Sequence, residues 1–294
     1  MVSYLFKSLQ YDIIVGMKRR NASPLISVVI TTRNEEGVIV NLLNSVERQT
    51  YRNLELILVD NNSTDKTKEL ATHFTKNVYN FGPERSSQRN YGVTRAKGEY
   101  ILVLDADMKL TKKVVEECIN LTKEEKAEAI IIPEKSYGQG FWTKFKVYER
   151  EFYEGEEDIE AARFFKRDLF KKFGGYDTSI TGPEDWDLPL RMKKKGIKIG
   201  RIKSYILHNE RTFSPWKSAR KKFYYASHAF VYLKRHPEMI TSQGNLLFRP
   251  VFFRKWRKLI SNPYLSIGMF IVRSIEMVGA GLGMLYSIGK RWGS

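Results

Sequence analysis

The chain has 294 residues, 42% hydrophobic and 28% charged, which suffices for one large domain with or without an appendage and excludes a disordered chain. Its single cysteine, Cys118, excludes an internal disulfide, and no Cys/His group has zinc-ligand spacing, so any metal must rest mainly on oxygen ligands. The net charge of +17 is unevenly spread: residues 1–190 hold 28 basic and 30 acidic side chains, net −2, while residues 191–294 hold 22 and three, net +19. A basic tail of this kind reads as a surface for phosphates, of nucleic acid or of anionic lipid.

Residues 1–24 end in Lys18-Arg19-Arg20-Asn21-Ala22-Ser23-Pro24. The positive charge follows the apolar stretch and no small-residue cleavage site appears, so a frayed or amphipathic extension is expected rather than a secretory signal. From Ile26 to Ile30 a short β-branched run reads as a buried strand, followed by polar Thr31–Gly37 and a helix with Val38, Leu42, Leu43 and Val46 on one face. Leu54–Val59 is a second strand, leading into Asp60–Asp65, with Ser63 or Thr64 placed to cap a helix from about Lys66. A helix over Arg89–Ala96 precedes a third strand, Tyr100–Leu104, which ends at Asp105-Ala106-Asp107. This alternation predicts an α/β domain with a mostly parallel sheet and helices on both faces. Ligands of such sheets bind beyond the carboxyl ends of the strands, where Thr31–Glu35, Asp60–Asp65 and Asp105–Asp107 collect.

Residues 149–160 hold seven acids in twelve positions and read as a solvated, mobile loop. Gly182-Pro183-Glu184-Asp185-Trp186-Asp187 opens a helix running to about Lys195, whose terminal lysines and Gly196 suit a helix C-terminus. Asp105 and Asp107, one residue apart after an apolar strand, can both reach a divalent cation such as Mg²⁺ or Mn²⁺, directly or through water. His208, after Tyr205-Ile206-Leu207, is either a further metal or phosphate contact or a satisfied structural histidine.

Four blocks carry a resemblance: ISVVITTRNEE over residues 26–36, LILVDNNSTDKT over 56–67, RNYGVTRAKGEYILVLDAD over 89–107 and GGYDTSITGPEDWDLPLR over 174–191. Their order resembles that of family-two glycosyltransferases of the GT-A fold, over about residues 25–208. The resemblance implies an inverting transfer from a nucleotide-diphosphate sugar to an acceptor hydroxyl of a glycan or lipid-linked glycan. It implies that Thr31, Arg33 and Glu35 line the nucleotide pocket, that Asp60 binds the base or ribose, and that Arg85 contacts the diphosphate. Asp107 would coordinate the metal bridging the phosphates, with Asp105 on ribose or on metal through water. Asp185 matches the general base, with Glu184 and Trp186 on the acceptor side. A carboxylate there suits the chemistry, because an acceptor hydroxyl is a weak nucleophile until its proton is removed.

In the last third, Phe213–Pro237 and Val251–Leu259 interleave aromatic and basic residues, a mixture that suits the bilayer interface or single-stranded nucleic acid. Leu265–Ile288 separates the two: 24 residues whose only charges are Arg273 and Glu276, flanked by Lys258 and Lys290-Arg291-Trp292. As a helix it reaches roughly 36 Å, enough for a bilayer, and Gly279 and Gly283 suit close helix packing. Membrane association is therefore expected, as a span, a re-entrant hairpin or a surface-lying element, with a buried soluble helix as the alternative. The expected division is an extension at 1–24, a GT-A domain at 25–210 and a basic helical membrane-associated region at 211–294. The positive flanks and the soluble donor place it on the cytoplasmic face, with anionic head groups rather than nucleic acid as partner. A polyprenyl-phosphate sugar synthase is the runner-up, and a non-catalytic basic membrane or nucleic-acid binding module the third reading.

Overall fold

The computed structural model describes residues 23–157, 159–228, 230–239 and 249–292. The extension expected at 1–24 lies, except for Ser23 and Pro24, outside the described residues. The first half alternates strand and helix as β1 (Ile26–Thr32), α1 (Ile39–Glu47), β2 (Leu54–Asp60), α2 (Thr67–Thr72), β3 (Val78–Asn80), α3 (Arg85–Arg95) and β4 (Tyr100–Asp105). It continues through β5 (Met108–Leu110), α4 (Val114–Glu124), β6 (Ala129–Ile131), β7 (Glu134–Tyr137), α5 (Thr143–Glu151), β8 (Ala162–Lys166), α6 (Arg167–Lys172) and α7 (Glu184–Lys194). After β9 (Ile199–Arg201) and β10 (Ile206–Asn209) come helices only: α8 (Pro215–His228), α9 (Phe230–Arg235), α10 (Pro250–Arg254), α11 (Trp256–Ser261) and α12 (Pro263–Trp292).

The main sheet has the order β3-β2-β1-β4-β8-β6-β9. Its first four strands are mutually parallel, and β8 runs against both β4 and β6. Both faces are covered, so the strands are apolar throughout and their two sides feed two cores. Ile26, Val28, Ile30, Leu102 and Leu104 pack with α1 and α4, whereas Val29, Ile57, Val59, Ile101 and Val103 pack with α3, α6 and α7. The result is an α/β/α arrangement of the GT-A type. The register sets Thr32 beside Asp60 and Thr31 beside Asp105, so three strand ends finish level. A second, small sheet, β5-β10-β7, stands at that end and pairs Met108 with His208.

Two expectations shift. Helix α3 begins at Arg85, four residues earlier than its apolar pattern suggests, because its first turn is polar and held by ion pairs. The acid-rich stretch is not a solvated loop throughout. Its first part lies on α5, where Glu149 is buried, and several of its acids meet bases from the chain's end: Glu156 pairs with Arg254 and Lys255, and Glu151 with Lys258. A third apolar cluster joins Tyr148, Phe152 and Tyr153 to Val251, Phe252 and Met269, fastening α10 and α12 to α5.

Candidate active site

Polar groups at the carboxyl ends of β1 and β2 are laced together before any ligand arrives. Asp60 is fully buried and accepts from the Ser63 amide at 2.6 Å and from the Ser63 hydroxyl. Asn34, in the left-handed region at φ 54°, donates its amide to Ser63 Oγ and accepts from the Thr64 amide through its side chain. The Glu35 amide donates to Thr67 Oγ1 at 2.7 Å, and the Glu36 amide to Asp65 Oδ2. The Glu35 carboxylate is held by Arg211, while Arg33 is exposed. Of the residues expected around a nucleotide, Thr31, Glu35, Asp60 and Asp105 thus stand on one connected edge, with Arg33 at its rim.

Beside this edge lies a cluster of three guanidinium groups and three carboxylates. Arg89 is completely buried. Its Nη2 donates to both oxygens of Asp105, at 2.8 and 2.9 Å, and its Nη1 to Asp185 Oδ1 at 2.5 Å. Arg85 donates from Nε and Nη2 to Glu184 Oε1 at 2.9 and 2.5 Å and lies 3.7 Å from Asp105. Arg163, on β8, stands 3.8 Å from both Asp105 and Asp185 and donates to Glu134 at 2.6 Å. Thr31 completes the set with a 3.1 Å bond to Asp105. Gly92 makes the arrangement possible, since a Cβ there would collide with the Val29 side chain and keep α3 from lying so close on β1.

The electrostatics follow from this packing. Burial pushes the Asp105 carboxyl up, but Arg89, Arg85 and Arg163 outweigh it and hold it well below the usual range. Burial likewise opposes ionisation of Asp185, and Arg89, Arg163 and Arg85 again prevail against it and against repulsion from Asp105. Both carboxylates are therefore ionised at neutral pH. Tyr176 covers Arg89 with its ring 5.0 Å from the guanidinium carbon, closing the cluster from behind.

Asp107 points to the other side of the same strand end. Its Oδ2 lies 3.4 Å from His208 Nε2, and its Oδ1 is buried without a hydrogen-bond partner. His208 has Glu134 and Glu210 at 3.7 and 3.9 Å from Nδ1. Burial disfavours the imidazolium, yet Asp107, Glu134 and Glu210 raise the His208 pKa above its ordinary value. A carboxylate with one oxygen facing an imidazole and the other buried and unpartnered offers donors of the kind a divalent cation takes. Among the described residues no three His, Cys, Asp or Glu side chains are grouped so as to hold a metal ion by themselves.

The remaining expected residues separate. Glu184 belongs to the arginine cluster, with Oε2 buried and unpartnered. Trp186 does not touch that cluster: its indole donates to the Ile159 carbonyl at 2.7 Å and lines a pocket with Glu157, Glu160, Lys193 and Arg201. Asp187 is fully buried and bonds Arg191, His236 and Arg235, which ties α7 to the segment after α8. Sequence reasoning missed Arg163, although an arginine inside the apolar run Ala162-Arg163-Phe164-Phe165 was the available signal. It also missed Glu134 and Glu210, which no motif marks.

The sequence model described as Glycosyl transferase family 2 matches residues 27–181. The chain is 30% identical over 193 residues to an uncharacterized glycosyltransferase of Rickettsia typhi, covering 58% of this chain and 59% of that one. It is 27% identical over 260 residues to a PGL/p-HBAD biosynthesis glycosyltransferase of Mycobacterium bovis, covering 82% and 94%. Match lengths thus vary, and the aligned part spans under two thirds of the Rickettsia protein. Among solved structures, S. aureus TarS residues 1–349 with UDP gives a TM-score of 0.53 at 18% identity, covering 92% of each chain. The mannosyltransferase PcManGT of Pyrobaculum calidifontis, in complex with GDP-Man and Mn²⁺, gives 0.55 at 17% identity, covering 92% and 81%. At these identities the structures speak for the fold.

Proposed function

Because the chain belongs to glycosyltransferase family 2, we propose that it transfers a sugar, with inversion, from a nucleoside-diphosphate sugar to an acceptor hydroxyl, with Asp185 as general base. The observation that carries this reading is the single guanidinium of Arg89 shared by Asp105 and Asp185, which brings the donor edge and the start of α7 into one site. Thr31, Arg33, Glu35 and Asp60 are assigned to the nucleoside, and Arg85 to the diphosphate. Asp107 and His208, with Asp105 at one remove, would hold a divalent cation, Mg²⁺ or Mn²⁺, which when bound offsets the charge on the leaving diphosphate.

In the transfer, the acceptor oxygen attacks the anomeric carbon as Asp185 takes its proton, and the bond from that carbon to the diphosphate oxygen breaks. Arg85, a third exposed, is the cation of the cluster free to exchange Glu184 for an incoming phosphate. Arg89 stays in place and keeps Asp185 ionised and aimed. Glu184 acts with Asp185 on the acceptor side, and Trp186 shapes the neighbouring pocket. We assign the catalytic unit to residues 25–210 and membrane association, at the cytoplasmic face, to 211–294.

One observation favours a second reading, an acceptor that is already an anionic polyprenyl phosphate. The pair with Arg89 lowers the basicity of Asp185, and an ionised acceptor needs no strong base. The experiment that tests the proposal is a screen of nucleotide sugars with the purified full chain, following nucleoside diphosphate release with and without Mg²⁺ or Mn²⁺. Release that needs a hydroxyl acceptor and a metal supports the first reading. Turnover only with polyprenyl phosphate supports the second.

A further inference from the structure

Helix α12 is built the wrong way round for a soluble protein. Over residues 263–289 it carries two charges, Arg273 and Glu276, and both are buried, at 1% and 2% exposure. Arg273 bonds Glu149 and, at 2.6 Å, the Tyr153 hydroxyl. Glu276 accepts from Lys146 at 3.0 Å and from Ser218 at 2.5 Å. The outward stripe is apolar except for Ser274: Ile267, Ile271, Val278, Leu282, Leu285 and Ile288 are each 44–66% exposed. Of the eighteen large hydrophobic residues that stand exposed among the described ones, fifteen lie from Trp216 onward. A continuous apolar face of this size marks an interaction surface.

Its surroundings say what it meets. Lys217, Arg220 and Lys221 on α8 and Arg257 on α11 are exposed and have no acid partner among the described residues. Trp216, Tyr224, Phe253 and Trp256 stand exposed between them. Unpaired cations and amphipathic aromatics around an apolar stripe complement an anionic bilayer, whose head groups take the cations and whose acyl boundary takes the stripe.

Length alone allows a span, since 27 residues make a helix of roughly 40 Å against a hydrocarbon core of about 30 Å. The packing argues against one. Arg273 and Glu276 lie near the middle of α12 and are bonded to Lys146, Glu149 and Tyr153 of α5 and its end, so crossing would bring those catalytic-unit residues to the depth where charge costs most. We infer that α12 lies in the plane of an anionic membrane surface, its outer stripe sunk into the interface and its charged inner face fixed to α5, without crossing the bilayer. This rests on the membrane association proposed above and specifies its geometry.

The test uses the full-length chain and vesicles of phosphatidylcholine with or without phosphatidylglycerol. The chain should float with the anionic vesicles, and the triple substitution Ile271→Glu, Val278→Glu and Leu285→Glu should lower the bound fraction by at least roughly tenfold. Those side chains face outward, so circular dichroism and UDP or GDP binding of the variant in solution should stay as in the parent. Single reporters at Ile267→Cys, Val278→Cys and Ile288→Cys, labelled with an environment-sensitive dye, then read depth through lipid-borne quenchers. Equal, shallow depths support the in-plane helix, whereas a deep Val278 position between two shallow ends would overturn it in favour of a span. Lipid-free dimers that the triple substitution dissolves, without flotation of the parent, would assign the face to a second copy. Absence of both flotation and dimers would remove the membrane reading itself, and nucleotide binding would still report on the glycosyltransferase reading independently.

Discussion

Asp105 and Asp185, distant in sequence, are bound by one buried guanidinium, that of Arg89, at 2.8 and 2.5 Å. A carboxylate at the end of a sheet strand and another at the start of a helix are thereby fixed relative to each other by a planar fork. A lysine cannot reproduce this, because a single ammonium cannot present two nitrogens in a fixed plane, one to each carboxylate. Arg89→Lys should therefore lower turnover by about 100-fold through misplacement of the base. Arg89→Met leaves Asp105 and Asp185 facing each other without a cation and should cost about 3–5 kcal/mol of stability. Steady-state kinetics of the first and urea unfolding of the second check the two halves. Parent-like turnover in Arg89→Lys would remove the fork from the mechanism.

Asp185→Asn keeps the shape of the side chain and removes its capacity to take a proton. Turnover should fall by about 10²–10⁴-fold while donor affinity, measured by calorimetry, stays within error. Glu184→Gln should cost less in turnover and should lower donor KM, because it frees Arg85 from a carboxylate that competes with the incoming phosphate. If Asp185→Asn turns over normally with the preferred acceptor, that acceptor is ionised before it binds.

The orphaned Asp107 oxygen gives the proposed metal site its own readout. Asp107→Ala should lose the nucleotide-dependent binding of Mn²⁺ seen by electron paramagnetic resonance, with an unchanged circular dichroism spectrum. His208→Ala should weaken it by a smaller factor, since imidazole is one ligand of a shell completed by phosphates. Undiminished Mn²⁺ binding in Asp107→Ala would move the site elsewhere.

Glu149 sets a pH dependence. Burial pushes its carboxyl up, but Lys146, Arg273 and Arg150 outweigh this and hold it well below the usual range. The folded value is thus lower than the unfolded one of about 4.3, so its contribution is complete at neutral pH and is lost as pH falls below that value. Glu149→Gln should destabilise by about 3–5 kcal/mol at pH 7, by analogy with other broken buried pairs. It should also flatten the acid limb of the stability profile. Urea midpoints of parent and variant across the acid range decide this, and parallel limbs would exclude Glu149 as the titrating group.

What could be read without coordinates was what the chain repeats locally. Strands β1, β2 and β4 announce themselves by β-branched apolar runs, and their polar ends by position, so the shared polar edge with Thr31, Asp60 and Asp105 was legible. The Asp185 block was legible by its likeness to a family motif. Arg163 was not, because a strand arginine gains meaning only when the antiparallel pairing of β8 with β4 sets it beside Asp105. The acid run at 149–160 misled for the same reason. Its neutralising bases, Arg254, Lys255, Lys258 and Arg273, come from the far end of the chain, and composition alone carries no trace of that meeting. Sequence also showed the two charges of α12 without their partners, Glu149 and Lys146 on α5, which hold that helix in place.

The glycines at 279 and 283 have a mechanical consequence. A Cβ at either would strike the backbone of α8, at Ala219 and Phe223, so the two helices touch main chain to main chain with no side-chain cushion between them. Such a pair moves as a single strut. Its α8 half also carries Tyr225, whose ring fills the space where a Cβ of Gly182 would stand, two residues before the helix that bears Asp185. A tilt of the outer helix would therefore press, through one close-packed helix pair and one aromatic ring, on the turn that leads into the helix bearing Asp185.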